Sequence, residues 1–422
     1  MKKLRCMTLV LFVLISILLL LGCGNRSISV DQINSVTTSL QEINLPDDVK
    51  IIGIGEATHG NKEFQLLKKV LFEQLIKQES VYTFVLEADF GGAEQINAYI
   101  HHGTGTAKEA LLALDYGLYK TEEMISFVEW MYQYNQTAAD KAKIYFYGND
   151  MQRYDYNKQG LLDFFKLVNP EAAKTYATRL AHVSNETMHS LTKSELEALL
   201  TLMGQIRQDL TGNGASYIQS ASELDYSYAN QYVRLIEQRA TLSLNSSTYA
   251  HLRDQYMVEN LEWIIEQEEK QGRDKVLLSA HNGHIEKTSA NLSGYKAMGE
   301  YIAERYGDRY FAIGTDSIKS KFLARKGESA ERQTYTVRNK NKLVKVFNQK
   351  EENQFYVDFS KIEADSPLKQ LIADKHHMIN IGDTFGTWYS WSKMFFTIEM
   401  VPQNAYDSLI IVKEASPTTL FK

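Results

Sequence analysis

The run Ile51-Ile52-Gly53-Ile54-Gly55-Glu56-Ala57-Thr58-His59-Gly60 decides how the chain is read. β-Branched apolar residues and glycines give way abruptly to polar groups. Phe64, Leu67, Leu71 and Leu75 then recur at three- and four-residue spacing. This predicts a buried strand, a glycine-rich turn and an amphipathic helix. Glu56 and His59 then stand at the carboxyl end of a strand, where open α/β sheets place their ligands. A carboxylate three residues from an imidazole can orient it, raise its basicity and let it take a proton from water. The competing explanation is a turn with a capping Glu and a surface His.

The same pattern returns along the chain. Val81–Leu86 runs into Glu87 and Asp89, Lys143–Tyr147 into Asn149 and Asp150, and Lys275–Ala280 into His281 and His284. Tyr310–Asp316, Phe355–Phe359, Met378–Ile381 and Ser408–Val412 also read as strands. Caps and turns favour Asp, Asn and Glu at any one strand end. Four such ends, two with histidines, point to one cleft, because neighbouring parallel strands lie only about 5 Å apart. From residue 160 to 270 glycine becomes scarce, no strand is evident, and Leu196, Leu199, Leu200, Met203 and Ile206 follow a helical period. The expected architecture is therefore α/β. A mainly parallel sheet core (residues 49–159 and 271–422) is flanked by helices and interrupted by an all-helical arm, residues 160–270.

At 422 residues, with 44% hydrophobic and 23% charged residues, the chain is ordinary for a folded protein, and only five prolines argue against long linkers. A formal charge of −6 disfavours generic nucleic-acid binding. Lys2, Lys3 and Arg5 precede an apolar run from Met7 to Leu21, too short for a membrane span of roughly 20 residues. It ends in Leu20-Leu21-Gly22-Cys23, which resembles a bacterial lipobox. Residues 1–22 are read as a lipoprotein signal peptide, Cys23 as the lipidated residue, and residues 23–48 as a polar tether. The protein is then expected at the extracytoplasmic face of a bacterial membrane. Cleavage takes the formal charge from −6 to −9 and removes Cys6, which leaves no internal disulfide and no further cysteine.

Gly-x-Ser-x-Gly, His-Glu-x-x-His and phosphate-loop patterns are absent, and a pyrophosphate would meet the charge of Glu56 in the incomplete glycine fingerprint around Gly53 and Gly55. Two mechanisms remain from residue types alone. Histidines and carboxylates activate water directly for attack on an ester, or Glu56, His59, Glu87, His281 and His284 hold a divalent metal that acidifies it. A third class is a non-catalytic surface binder using the 25 tyrosines and four tryptophans.

Five motifs in series narrow the choice: Gly55-Glu56-Ala57-Thr58-His59-Gly60 with Glu63-Phe64; Glu87-Ala88; Tyr147-Gly148-Asn149-Asp150-Met151-Gln152; Arg253-Asp254 with Met257, Glu259 and Asn260; and Ala280-His281-Asn282-Gly283-His284 with Met298-Gly299. Their order and spacing resemble the erythromycin esterase family. That resemblance implies hydrolysis of an ester or macrolactone by water, without a covalent intermediate or an obligatory cofactor. It implies His59 as general base oriented by Glu56, with Glu87, Arg253, His281 and His284 around substrate and water. Asp89, Asn149 and Asp150 are the expected substrate contacts, and the partner is a small-molecule ester, with macrolides among the candidates.

Overall fold

Six parallel strands form the centre of the protein, and the order in which they pair assembles the candidate site. The computed structural model describes residues 28–421 except 292 and 328. In chain order the strands are β1 (Thr37–Thr38), β2 (Ile51–Glu56), β3 (Thr83–Asp89), β4 (Tyr145–Asp150), β5 (Val276–His281), β6 (Tyr310–Lys326), β7 (Arg332–Arg338), β8 (Gln354–Asp358), β9 (His376–Ile379), β10 (Thr384–Phe385), β11 (Thr397–Met400) and β12 (Ser408–Ala415). The main sheet runs β1-β8-β12-β6-β2-β5-β3-β4, with β7 and β10 attached to β6. β4, β3, β5, β2, β6 and β12 are parallel, while β8 and β1 close the edge antiparallel. The fold class is α/β with a mostly parallel central sheet, as expected.

Both faces of the central strands are covered, which is why β2, β3 and β5 read as unbroken apolar runs. Alternate residues still serve opposite faces. Ile52, Phe84 and Leu277 join a core with the helices Lys62–Glu79 and Glu122–Thr137, whereas Ile51, Val85, Val276 and Leu278 face the other layer. That second layer holds the helical segment, which comprises Asp155–Val168, Pro170–Arg179, Lys193–Ser220, Glu223–Leu244 and Tyr249–Lys270. It begins a turn earlier than residue 160, and its apolar residues are continuous with the sheet core. Among the described residues no helix is long and apolar enough to cross a membrane.

The structure differs from the sequence expectation in three places. Residues 30–43, expected within a polar tether, pack on the sheet. Val30–Val36 is a helix with a Ser29 capping box, it buries Ile33 and Val36, and β1 pairs with β8. β6 runs on to Lys326, ten residues past the expected end at Asp316, and its extension pairs with β7 and β10. β9 leaves the main sheet and pairs only with β11. The signal peptide and Cys23 lie outside the described residues.

Candidate functional site

Glu56 and His281 are register partners at the ends of the paired strands β2 and β5. The chain turns immediately after Glu56, so His59 comes down beside His281, with ring centroids 4.9 Å apart. His59 Nδ1 lies 3.3 Å from Glu56 Oε2. Because the carboxylate can only accept, the proton sits on Nδ1 and Nε2 is left without a hydrogen-bond partner among the described residues. Burial opposes charge on His59, but the Glu56 hydrogen bond and charge outweigh it and raise the imidazole above its ordinary range.

Glu56 is held by a residue that no motif indicated. Lys68, on the helix after the turn, is wholly buried and ion-pairs with Glu56 Oε1. Gln65 donates to Glu56 Oε2 at 3.4 Å and to the His59 carbonyl at 2.9 Å, and accepts from Lys68 Nζ at 3.0 Å. Burial disfavours the Glu56 charge, yet Lys68 and then His59 bring its pKa below the usual carboxylate value. The signal for Lys68 was a lysine within the Phe64–Leu75 apolar stripe, a position that faces the core.

The second half of the site is a chain of alternating charges. Arg253, on the helix Tyr249–Lys270, donates through Nη2 to Glu87 Oε1 at 2.8 Å and to Asp150 Oδ2 at 2.6 Å. His284 follows the end of β5 in a short turn of helix. Its Nδ1 lies 2.6 Å from Asp254 Oδ1 and its Nε2 3.4 Å from Glu87 Oε1. Burial opposes the His284 charge, but Asp254 and Glu87 override it and push the imidazole up to about 10, so it is an imidazolium at neutral pH. Burial also disfavours the Glu87 charge, while His284, Arg253 and His59 hold that carboxyl well below its usual value. Arg253 Nη1 is 3.2 Å from His284 Nε2, and the two side chains meet at Glu87 Oε1, which Arg253 reaches through Nη2 and His284 through Nε2.

His281 behaves oppositely. Its backbone N–H donates to Glu87 Oε2 at 2.8 Å, and its Nε2 is 3.1 Å from the Ile381 carbonyl, which can only accept. Nε2 therefore carries the hydrogen and Nδ1 the lone pair. Burial and the neighbouring His59 charge push its pKa down to about 3. The pair thus divides its labour, with His59 taking the proton and His281 staying neutral.

His59, Glu87, Arg253, His281 and His284 line a cleft of about 900 Å³, a size suited to a small-molecule ligand. Tyr116 also lines it and donates to Asp150 Oδ2 at 2.8 Å. At the mouth Arg325 and Arg332 share Asp383, at 2.8 and 2.6 Å.

Not every expected residue reaches this cleft. Asp150 is fully buried behind Arg253 and acts on the cleft through that guanidinium. Asp89 caps the helix Phe90–His102, accepting from the Gly92 N–H at 2.9 Å and from Asn157 at 3.1 Å, because the chain turns into the helix just where Asp89 ends β3. Asn149 points into the helical layer, where its Nδ2 meets the Met257 carbonyl at 3.3 Å and its own carbonyl accepts from Asn260. Asp89 and Asn149, expected as substrate contacts, are thus held by structural partners and are not among the residues that line the cleft. Asp254, Gln65, Lys68 and Tyr116 belong to the network and were not singled out from sequence as site residues.

The donors fit a divalent metal poorly. Glu56 is engaged by Lys68 and Glu87 by Arg253 and His284, so two of the five candidate ligands already serve cationic partners, and His281 Nε2 is turned to the Ile381 carbonyl. Among the described residues no group of three or more His, Cys, Asp or Glu side chains is arranged to hold a metal ion.

Residues 76–415 match the family model described as erythromycin esterase. The chain is 28% identical over 303 residues to an erythromycin esterase type II from Escherichia coli, covering 66% of this chain and 71% of that protein. A crystal structure of a Bacillus cereus protein superposes with a TM-score of 0.76 at 25% identity, over 89% of this chain and 91% of that one. An erythromycin esterase mutant in its open conformation shares the fold at 17% identity, with a TM-score of 0.67 over 91% and 94% of the two chains.

Proposed function

The chain belongs to the erythromycin esterase family, and from that premise we propose that it hydrolyses a small-molecule carboxylic ester with water activated directly at His59. The observation that carries this reading is the His59 tautomer. Glu56 holds the proton on Nδ1, so the unengaged Nε2 is the base in a cleft it shares with the neutral ring of His281. Water placed between these rings loses a proton to His59 Nε2 as its oxygen attacks the ester carbonyl. His281 Nδ1 accepts the water's other hydrogen and so aims the oxygen lone pair. Arg253 and the His284 imidazolium supply positive charge where the carbonyl oxygen becomes an oxyanion. Collapse of the tetrahedral species expels the alcohol, which recovers the proton from His59, and acid and alcohol leave.

Attack by water without an acyl-enzyme is supported by the cleft lining, which among the described residues contains no Ser, Thr or Cys side chain. A macrolactone is the finer substrate proposal, and it rests on the likeness to the Escherichia coli protein named erythromycin esterase type II. The test is incubation of the purified protein with a macrolide and a panel of simple and acylated-sugar esters, read by mass spectrometry. A macrolide product heavier by one water supports the full reading. Turnover of other esters only keeps the hydrolase and discards the macrolide. No turnover in a folded protein leaves a binding module. Export and lipid anchoring through Cys23 remain a separate proposal, tested by the mass of the N-terminal peptide from membrane-extracted protein.

A further inference from the structure

The segment Thr387–Phe395 follows directly on β10 and on Gly382 and Asp383, which line the cleft. It forms two short 3-10 turns. Tyr389 packs inward against Phe385, at 5.4 Å between centroids, and Phe385 packs in turn on Phe322 and Tyr335. With that anchor, the neighbouring side chains project outward. Trp391 is 87% exposed, Met394 65%, Trp388 54% and Phe395 46%, and Trp388 contacts Phe395 at 4.7 Å. Most other exposed large apolar residues stand singly on the surface, which is normal. Four together, two of them tryptophans, form a patch of the kind that marks an interaction site.

A cationic cavity adjoins this patch at Trp391. Trp391 and Lys393 line a second cavity of about 880 Å³ together with Arg338, Lys340, Lys342 and Lys375. All five cationic residues are exposed. Among the described residues only Lys375 of these five has an acidic partner, Glu399 at 3.7 Å, and Asp374 is the one carboxylate in the cavity lining. The local charge is therefore strongly positive on a chain whose total is −6. Lysines predominate over arginine, and lysine is depleted at protein interfaces. Protruding Trp, Met and Phe beside exposed lysines match instead the interfacial zone of an anionic bilayer, where indole rings sit at headgroup depth and lysines meet lipid phosphates.

We propose that this face docks on an anionic phospholipid surface, with Trp388, Trp391, Met394 and Phe395 entering the interface and Lys340, Lys342, Lys375, Lys393 and Arg338 contacting headgroups. Docking holds the Asp383 side of the cleft mouth close to the membrane, because one segment carries both. The inference is independent of the hydrolase reading and of the Cys23 anchor.

The test uses a chain starting at Gly24, which keeps every described residue and lacks the apolar leader that would bind lipid by itself. It should co-sediment with vesicles of phosphatidylglycerol and phosphatidylcholine, show a blue shift in tryptophan emission, and stay in solution with phosphatidylcholine alone. Salt should release it. Lys340→Ala with Lys393→Ala should weaken binding about fivefold per lysine. Trp391→Gln should weaken binding and reduce the blue shift, with thermal melts matching the parent because these side chains are exposed. Absence of binding to anionic vesicles at low salt overturns the proposal, as does binding that both variants leave unchanged. A patch covered by a second copy would show as a dimer without vesicle binding, which also overturns it.

Discussion

Lys68 and Glu56 form an ion pair with both side chains withdrawn from water, and that pair is what keeps His59 oriented. Breaking a buried pair from one side leaves an unpaired charge, at a cost of about 3–5 kcal/mol. Lys68→Met should therefore lower unfolding stability by about that much. It should also remove the reason for Glu56 to stay ionised, and turnover should fall with it. The double variant Lys68→Met/Glu56→Gln should be more stable than Lys68→Met alone, since no buried charge is left without a partner. Urea denaturation of the three proteins checks this, and a double variant no more stable than Lys68→Met would show that the pair does not govern the site.

His59 must be unprotonated to act as a base, and Glu56 raises its pKa above 6.5. The acidic limb of kcat/KM should accordingly lie above pH 6.5, with activity rising as pH increases through it. Glu56→Gln removes the negative charge while burial remains, so the limb should move to lower pH as the maximal rate drops. His59→Ala should cost at least about 10²-fold in turnover. A pH profile of kcat/KM for the parent and Glu56→Gln, recorded on whichever ester is turned over, measures both shifts. A limb unmoved by Glu56→Gln would assign the base elsewhere.

The strand ends could be read from the chain because parallel strands covered on both faces must be apolar until they emerge, and the polar residues at that point stand out. Glu56, Glu87, His281 and His284 were visible for this reason. What periodicity could not supply was pairing order, since strands distant in sequence become neighbours only when the crossover helices are placed. That is why β5, which follows the helical arm, lies between β2 and β3. Asp89 and Asn149 could not be told from cleft residues in the sequence, because a carboxylate or amide at a strand end serves equally well as a helix cap or a backbone clamp. β7 went unseen because Arg332–Arg338 carries only two apolar residues, Tyr335 and Val337, and alternates polar and apolar over too short a span. Lys68 was legible in principle, as a cation on the buried stripe of a helix, and Asp254 sat beside Arg253 in a quoted motif without a role until His284 was found against it.

His284 links proton binding to stability. Its pKa is about 10 in the folded chain against about 6.5 unfolded. The folded state thus binds the proton more tightly. The contribution is fully present below pH 6.5 and is lost progressively as pH rises towards 10. Unfolding midpoints in urea should fall across that window. His284→Gln keeps a neutral hydrogen-bonding side chain and should flatten the decline while lowering stability at pH 6. Equal slopes in the two proteins would mean that the imidazole between Asp254 and Glu87 is not charged.

Close packing beneath the site gives two glycine substitutions opposite signs. A Cβ on Gly55 would lie 2.0 Å from Asn282 Oδ1 and 3.2 Å from Asn282 Cα. Asn282 cannot swing away freely, because its Nδ2 donates to the Thr315 carbonyl at 2.7 Å and its Oδ1 accepts from the Thr315 N–H at 3.2 Å. Gly55→Ala must therefore displace the turn carrying His281 and His284 relative to Glu56. Overpacking of this kind costs about 1–3 kcal/mol. A shift of about 1 Å at reacting groups costs on the order of 10²-fold in rate. Gly204 lies inside the helix Lys193–Ser220, and beyond its chain neighbours and that helix's own backbone nothing comes within 4 Å of its would-be Cβ. Gly204→Ala should raise stability by about 1 kcal/mol through helix propensity alone and leave turnover unchanged. Thermal melts and ester turnover of the two variants separate a steric requirement at the strand end from a general intolerance of alanine. A Gly55→Ala protein with parental turnover would show that the two histidine-bearing turns are positioned independently of this contact.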